Sequence, residues 1–411
     1  MNDVLVVGAS QAGVQLAASL RELGHDGAIT LVGAEPHLPY QRPPLSKAYL
    51  AGAATADSLA LRNYAFYASH DIDLIQGDRV ADVDLDSGKA TTETGRTLSF
   101  DRLALTTGAR VIRLPIPGAD LPGVLYLRDL DDADVLAQVL PSARSVVVIG
   151  GGFIGLEAAA VCRNAGKDVT VVEMGSRLVA RAVAPVVSDF YRQAHERRGT
   201  AIRLGRTVTE LLGDKRAVTA ARLDDGSVLR ADLVLIGVGV APRIELAEQI
   251  GLETRNRAIV VNRYAQTSDP RVVAAGDCTL LPHPRGGDDM VRLESVQNAV
   301  DQAKVAAATL LGEQQPYSAV PWFWSDQDTL KLKIAGLSTG YDDVVVRGDP
   351  ETEKFSVLYY RAGTLLALDS INQTADYLMV RRLLGAGGTI PPDHAADVDI
   401  PLKSLAVTNA G

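Results

Sequence analysis

The residues in this chain best placed to do chemistry are glycines. In the stretch VVGASQAGVQL, Gly8 and Gly13 hold the first and last places of a G-x-G-x-x-G turn, and Ser10 stands in the middle place. Further on, VVVIGGGFIGLEAA carries Gly150, Gly152 and Gly155 in an unbroken version of the pattern. The spacing suits a dinucleotide. The first glycine makes a tight turn, the second lets backbone approach a pyrophosphate, and the third lets a helix pack close to a strand. A serine in the middle place must either turn its Cβ away or donate its hydroxyl to a phosphate; donation is the favoured expectation. Two acids stand where ribose hydroxyls would need an acceptor. Glu173 follows Gly150 by 23 residues, whereas in the first stretch Gly33 occupies the matching place and the acid slips to Glu35.

Each turn needs a strand before it and a helix after it. Residues 3–35 read that way: DVLVV, the turn, VQLAASLREL with apolar residues at helical spacing, Gly24 and Gly27 where the helix should stop, then AITLV. Residues 144–173 repeat the unit as RSVVVIG, the turn, LEAAAVCRNAG and DVTVVE, about 140 residues later. Glycine turns are common, so one copy would say little; two copies in the same setting predict an α/β chain with two Rossmann-like nucleotide-binding domains. LALTTGAR (103–110) and LVLIGVGVAPR (233–243) run from a buried strand to glycine and a basic residue, as crossings between domains would. TSDPRVVAAGDC (267–278) is a further strand, ending at Gly276 and Asp277. After residue 316 both tryptophans appear, followed by the alternating runs DDVVVRG, KFSVLYY and TLLALDSI, which predict antiparallel strands of a smaller α+β domain. The tail from Ala386 is rich in glycine and proline and is expected to end as a surface segment near DIPLKSLAV.

Composition narrows the class. A chain of 411 residues is long enough for two or three domains, and its net charge of −9 disfavours general nucleic-acid binding. Two separated cysteines argue against a disulfide framework, and the six histidines show no metal-ligand spacing. Apolar runs are strand-length, far short of a membrane span, and the chain enters a strand at Val4 with no leader-like segment, so a cytoplasmic location is expected.

In order, GASQAG, QRPPLSKAYLAG, TTGAR, VVVIGGGFIGLEAA, GVGVAPR, TSDPRVVAAGDC, RLESVQNAVDQA and PWFWSDQ resemble the FAD- and NADH-dependent ferredoxin reductases of glutathione-reductase fold. That family feeds bacterial monooxygenases of cytochrome P-450 type and ring-hydroxylating dioxygenases. The resemblance covers nearly the whole chain, and family members vary at the middle position of the first turn. It implies a discontinuous FAD-binding domain (1–110 and 243–316), an NADH-binding domain (111–242) and a C-terminal interface domain (317–411). For FAD it implies Gly8, Ala12 and Gly13 at the pyrophosphate, beside Ser10 and with Glu35 as the ribose acid. Arg42 and Lys47 would lie beside the flavin, Val80 on the adenine side, Arg128 near the cofactor and Trp324 at the edge of the ring. Thr107, Gly108, Gly276, Glu294 and Ser295 belong to the same set. Asp277 would accept from ribitol hydroxyls, and a helix opening at Val296 would aim its positive end at the pyrimidine edge. For NADH the resemblance implies Gly150, Gly152, Ile154 and Gly155, with Glu157, Glu173, Arg181 and Gly239.

These roles answer physical needs. Reduced flavin carries negative charge over N1 and O2, so a helix N-terminus there, or the Lys47 ammonium near N5, would stabilise it. A buried ammonium needs an acid, and Glu157 is the partner expected, with a second role in holding the nicotinamide carboxamide. PPLSKAYLAG has no cysteine, where disulfide reductases of this fold carry a redox pair and peroxidase relatives a single one. Cys162 and Cys278 are expected to be packing residues. Without a thiol relay, electrons would leave for a [2Fe–2S] ferredoxin. Direct reduction of a quinone or oxygen, and a redox-switch flavoprotein without turnover, stay open. An acidic ferredoxin would want basic residues such as Lys331, Lys333 and Arg292. Glu173 should repel a 2′-phosphate and favour NADH, although Arg177 and Arg181 follow it and could receive one.

Overall fold

Strands Val4–Val7 and Leu233–Ile236 are buried at every position, which only a parallel sheet covered on both faces allows. The computed structural model describes residues 2–286 and 289–407. It contains two such sheets, one in each of two compact units: Met1–Gln41, Ala56–Arg110 and Val240–Pro321 form the first, and Arg42–Thr55, Val111–Gly239 and Trp322–Gly411 the second.

In the first unit the parallel order is Val272–Ala274, Arg102–Leu105, Val4–Val7, Ile29–Val32, Ile72–Ile75. The first glycine turn leaves the central strand and enters helix Gln11–Glu22, which packs on helix Val296–Leu310 through Leu16, Leu20, Ala303, Ala306 and Ala307. A row of alanines on the second helix lets the two approach closely. An antiparallel meander, Val80–Asp84, Lys89–Thr92 and Thr97–Ser99, extends this unit.

In the second unit the parallel order is Ala201–Leu204, Asp168–Glu173, Ser145–Ile149, Leu233–Ile236, Val124–Leu125. The glycine-turn strand is again central, with the acid-bearing strand beside it. The edge strand here comes from upstream in the chain; in the first unit it comes from far downstream. The same unit holds an antiparallel sheet ordered Trp322–Gln327, Leu330–Gly336, Thr364–Ile371, Lys354–Arg361, Asp343–Asp349, followed by helix Thr374–Gly385. Leu156, Leu178, Phe190 and Tyr191 share one core with Phe355 and Tyr359 of that sheet.

One feature differs from the sequence reading: segment 42–55, quoted there within 1–110, makes its contacts in the second unit. The tail does lie at the surface near DIPLKSLAV, with Val398 and Val407 exposed. It is also anchored: Ile390 and Leu402 are buried, and the Arg347 guanidinium donates to the carbonyls of Ala395, Asp397, Val398 and Ile400. Among the described residues, no helix is long and apolar enough to cross a membrane.

Candidate active site

The two turns show which glycines the backbone itself requires. Gly8 has φ +114°, and a Cβ there would lie 2.2 Å from Thr106 O; on Gly13 it would lie 2.0 Å from Gly8 O. Gly150 (φ +109°) and Gly155 repeat this, at 2.4 Å from Gly237 O and 2.3 Å from Gly150 O. A Cβ on Gly152 meets nothing within 4 Å. The middle place is therefore free of any demand from the fold, and Ser10 takes it with ordinary extended angles, φ −125° and ψ −156°. Neither turn supplies a side-chain cap to its helix, whereas Asp129 and Ser295 each accept from an amide in the first turn of theirs. The leading amides of helices Gln11–Glu22 and Phe153–Asn164 are thus available to a phosphate, and the cradles that a Cβ would fill fit the pyrophosphates of FAD and NADH.

The acids sit differently in the two units. Gly8 N–H donates to Val32 O and Gly150 N–H to Val172 O, both at 2.8 Å, so Gly33 and Glu173 are structural equivalents. Glu173 accepts from Gly151 N–H and Gly175 N–H, each at 2.6 Å. Each oxygen keeps a lone pair for a ribose hydroxyl. In the first unit a Cβ at Gly33 would lie 2.7 Å from that of Ala9, which excludes an acid at that place. Glu35 instead accepts from Tyr40 Oη at 2.5 Å. Arg177 donates to Ala180 O, Val183 O and Ser188 Oγ, so its guanidinium folds its own loop. Arg181 is exposed, with Nη2 3.7 Å from where a Cβ on Gly239 would lie.

Around the first turn the structure gathers Gly8, Ala12, Gly13 and Gly276; a Cβ on Gly276 would lie 3.3 Å from that of Ala12. Asp277 follows, half-buried. Thr107 Oγ1 donates to Arg243 O at 2.6 Å, and Gly108 has φ +64°. Ser295 caps the helix that opens at Val296, Glu294 pairs with Arg292 at 3.0 Å, and Val80 is buried. Sequence reasoning missed Thr106, whose hydroxyl donates to Gly8 O at 2.8 Å, and Gln302, whose Oε1 accepts from Gly276 N–H at 2.8 Å. Thr106 lies inside the TTGAR stretch, but nothing in its spacing sets it apart from Thr107.

In the second unit Lys47 Nζ lies 2.6 Å from Glu157 Oε2 and also donates to Pro43 O. Glu157 is buried, and it further accepts from Ser46 Oγ at 2.6 Å and Ser325 Oγ at 2.7 Å. The 3-10 turn Pro43–Ser46 brings Ser46 and Lys47 to the same carboxylate. Neither serine was singled out from sequence, although both lie within quoted motifs. Arg42 Nη1 donates to Arg128 O at 2.9 Å. Trp324 is half-buried with its ring 5.6 Å from that of Trp322, Phe323 packs its ring at a tilt against that of Phe153 with centroids 4.8 Å apart, and Ile154 is exposed at the start of its helix. Lys331 lies 3.6 Å from Asp326, and Lys333 donates to Thr374 Oγ1. Cys162 and Cys278 are free and buried, and burial pushes both thiols up to about 11. At neutral pH neither is a nucleophile.

A family model described as pyridine nucleotide-disulphide oxidoreductase matches residues 2–303. The chain belongs to that family. Within it, this oxidoreductase also carries the domain described as reductase C-terminal, over residues 322–406. It is 44% identical to rhodocoxin reductase of Rhodococcus erythropolis over 98% of this chain and 93% of the relative. A solved ferredoxin reductase for the CYP199A2 system of Rhodopseudomonas palustris superposes with TM-score 0.96 at 44% identity, covering 99% of this chain and 100% of that one. The covalent putidaredoxin reductase–putidaredoxin complex matches with TM-score 0.94 at 40% identity over 98% of each chain. Among the described residues no disulphide forms, since Cys162 and Cys278 are both free and buried.

Proposed function

We propose that this oxidoreductase takes electrons from NADH and passes them, through FAD, to a [2Fe–2S] ferredoxin that supplies an oxygenase. The observation that carries the reading is the likeness, over nearly the full length of both chains, to a reductase whose named partner is a ferredoxin. The two glycine cradles, one in each unit, support it further. FAD, when bound, supplies the exchange between a two-electron donor and a one-electron acceptor.

The chain's own residues would divide the work. Residues 1–110 and 243–316 bind FAD, 111–242 bind NADH, and 317–411 offer the ferredoxin interface. Gly8, Ala12 and Gly13 hold one pyrophosphate on helix amides, and Gly150, Gly152 and Gly155 the other. Glu173 accepts from the adenosine ribose and repels a 2′-phosphate. Glu157 is the counter-charge of the Lys47 ammonium, which is largely out of water, and Lys47 is the cation that this reading assigns to the flavin. The inert thiols take no part, and two unpaired cysteines suit a cytoplasmic location.

Anaerobic addition of NADH to the FAD-loaded protein should bleach the flavin absorbance rapidly. A [2Fe–2S] ferredoxin from the same genome should then drive cytochrome c reduction. No bleaching would overturn the reading; turnover on a quinone or oxygen with none on the ferredoxin would move the assignment to a direct acceptor. Glu157→Ala should slow bleaching by about tenfold or more with FAD retained.

A further inference from the structure

Behind the Lys47–Glu157 pair a line of polar side chains runs through the core of the same unit, and the reading above does not use it. Ser325 Oγ, which reaches Glu157 Oε1, lies 3.2 Å from Gln327 Nε2, and Gln327 Oε1 lies 2.8 Å from His195 Nε2. Ser325, Gln327 and His195 are 0%, 1% and 2% exposed, so the three are satisfied by one another and not by bulk water. Ser325 and Gln327 share one face of strand Trp322–Gln327 because alternate residues of a strand do. His195 comes from the last turn of helix Pro185–Arg197.

The charge at one end sets the direction of every bond. A carboxylate paired with the Lys47 ammonium only accepts, so the Ser325 hydroxyl must spend its single hydrogen on Oε1. The serine oxygen is then only an acceptor, which requires the NH2 of Gln327. That turns the Gln327 carbonyl toward His195, whose Nε2 must carry hydrogen. The opposite amide orientation would need the Ser325 hydroxyl to donate twice. Burial holds the pKa of His195 below its ordinary value, so the ring is neutral and its one N–H is the one that the line demands.

We propose that His195, Gln327 and Ser325 are positioning residues, a one-way line of donors that fixes the orientation of the Glu157 carboxylate against Lys47. This rests on the reading of Glu157 as a group that serves the coenzyme. The rival is a proton path, since His195 and Gln327 also line a pocket of about 10 Å³, room for one water, together with Arg198 and Asp328. The amide in the middle has no proton to hand on, which favours positioning.

The test begins with histidine-labelled holoenzyme and imidazole ¹⁵N NMR, His195→Gln identifying the resonance. His195 should carry its proton on Nε2, and Glu157→Gln, whose NH2 would donate to Ser325, should invert the line and move the proton to Nδ1. A proton on Nδ1 in the unsubstituted protein overturns the proposal, whatever the variants do. In stopped-flow reduction by NADH, Gln327→Met and His195→Leu should each lower the limiting rate about tenfold with FAD retained. His195→Gln, whose amide N–H replaces Nε2–H, should stay within about twofold of the unsubstituted rate, and Gln327→Met should add nothing to the loss in Glu157→Gln. A loss in His195→Gln as large as in His195→Leu would establish the proton path and overturn positioning. Full rates in Gln327→Met and His195→Leu beside a slow Glu157→Gln would sink this proposal alone. A full rate in Glu157→Gln would sink both it and the reading of Glu157.

Discussion

Ser10 and Gly152 occupy equivalent places at which neither backbone requires glycine, while Gly13 and Gly155 stand where a Cβ would strike a carbonyl at 2.0 and 2.3 Å. Gly155→Ala should therefore lower stability by about 1–3 kcal/mol, and Gly152→Ser should stay within about 0.5 kcal/mol of the unsubstituted protein. Thermal melts of the two variants check this, and an equal loss in both would contradict the geometry. A second expectation belongs to Glu173. Its carboxylate is pinned by the amides of Gly151 and Gly175, and Arg177 is committed to its own loop. NADH should be preferred over NADPH by at least about tenfold in kcat/KM, near 1.4 kcal/mol in transition-state binding. Equal rates with both coenzymes would overturn that role. The glycine spacing made both cradles legible in the sequence. The exclusion of an acid at Gly33 was not, because it arises from Ala9 on a neighbouring segment.

At the scale of elements, the C-terminal tail depends on one buried cation. Arg347, 7% exposed on strand Asp343–Asp349, serves four tail carbonyls and lies 3.6 Å from Asp376 on the following helix. Arg347→Met would leave those carbonyls short of donors and remove a cation from beside Asp376. Amides in 395–407 should then exchange about thirtyfold faster, roughly 2 kcal/mol of local stability, while the Ser145–Ile149 strand keeps its protection. Unchanged exchange in the tail would show that Ile390 and Leu402 suffice to anchor it. Three strands of this region were readable because the runs DDVVVRG, KFSVLYY and TLLALDSI concentrate β-branched, aromatic and other apolar residues between turns. The anchoring of the tail was not, since single apolar residues among polar ones carry no period.

At the scale of the whole molecule, stability in the second unit is tied to a buried carboxyl. Asp369 accepts a hydrogen bond from Tyr359, whose oxygen accepts in turn from Ala184 N–H at 2.8 Å, so the group links the C-terminal sheet to the start of helix Pro185–Arg197. Desolvation pushes its pKa up to about 7. The folded state therefore holds the proton more tightly than the unfolded chain, where the value is about 4. Stability from this group is complete below about pH 4 and is lost as pH rises through about 7, a difference on the order of 4 kcal/mol. Asp369→Asn, neutral throughout, should gain on the unsubstituted protein between pH 5 and pH 8 in thermal melts. A constant gap would mean that Asp369 does not titrate in this window.

The sequence by itself determined the two strand–turn–helix units, their order, and the need for a counter-charge to Lys47. Those follow from steric demands met within a few residues and from chemistry that each residue type carries with it. Only the tertiary structure decided what surrounds the counter-charge. Ser46, Ser325 and His195 enter its network through contacts spanning 111, 168 and 132 positions of chain. Such pairs are set by how a sheet and two helices pack, and packing between distant segments leaves no periodic mark on the residues that make it.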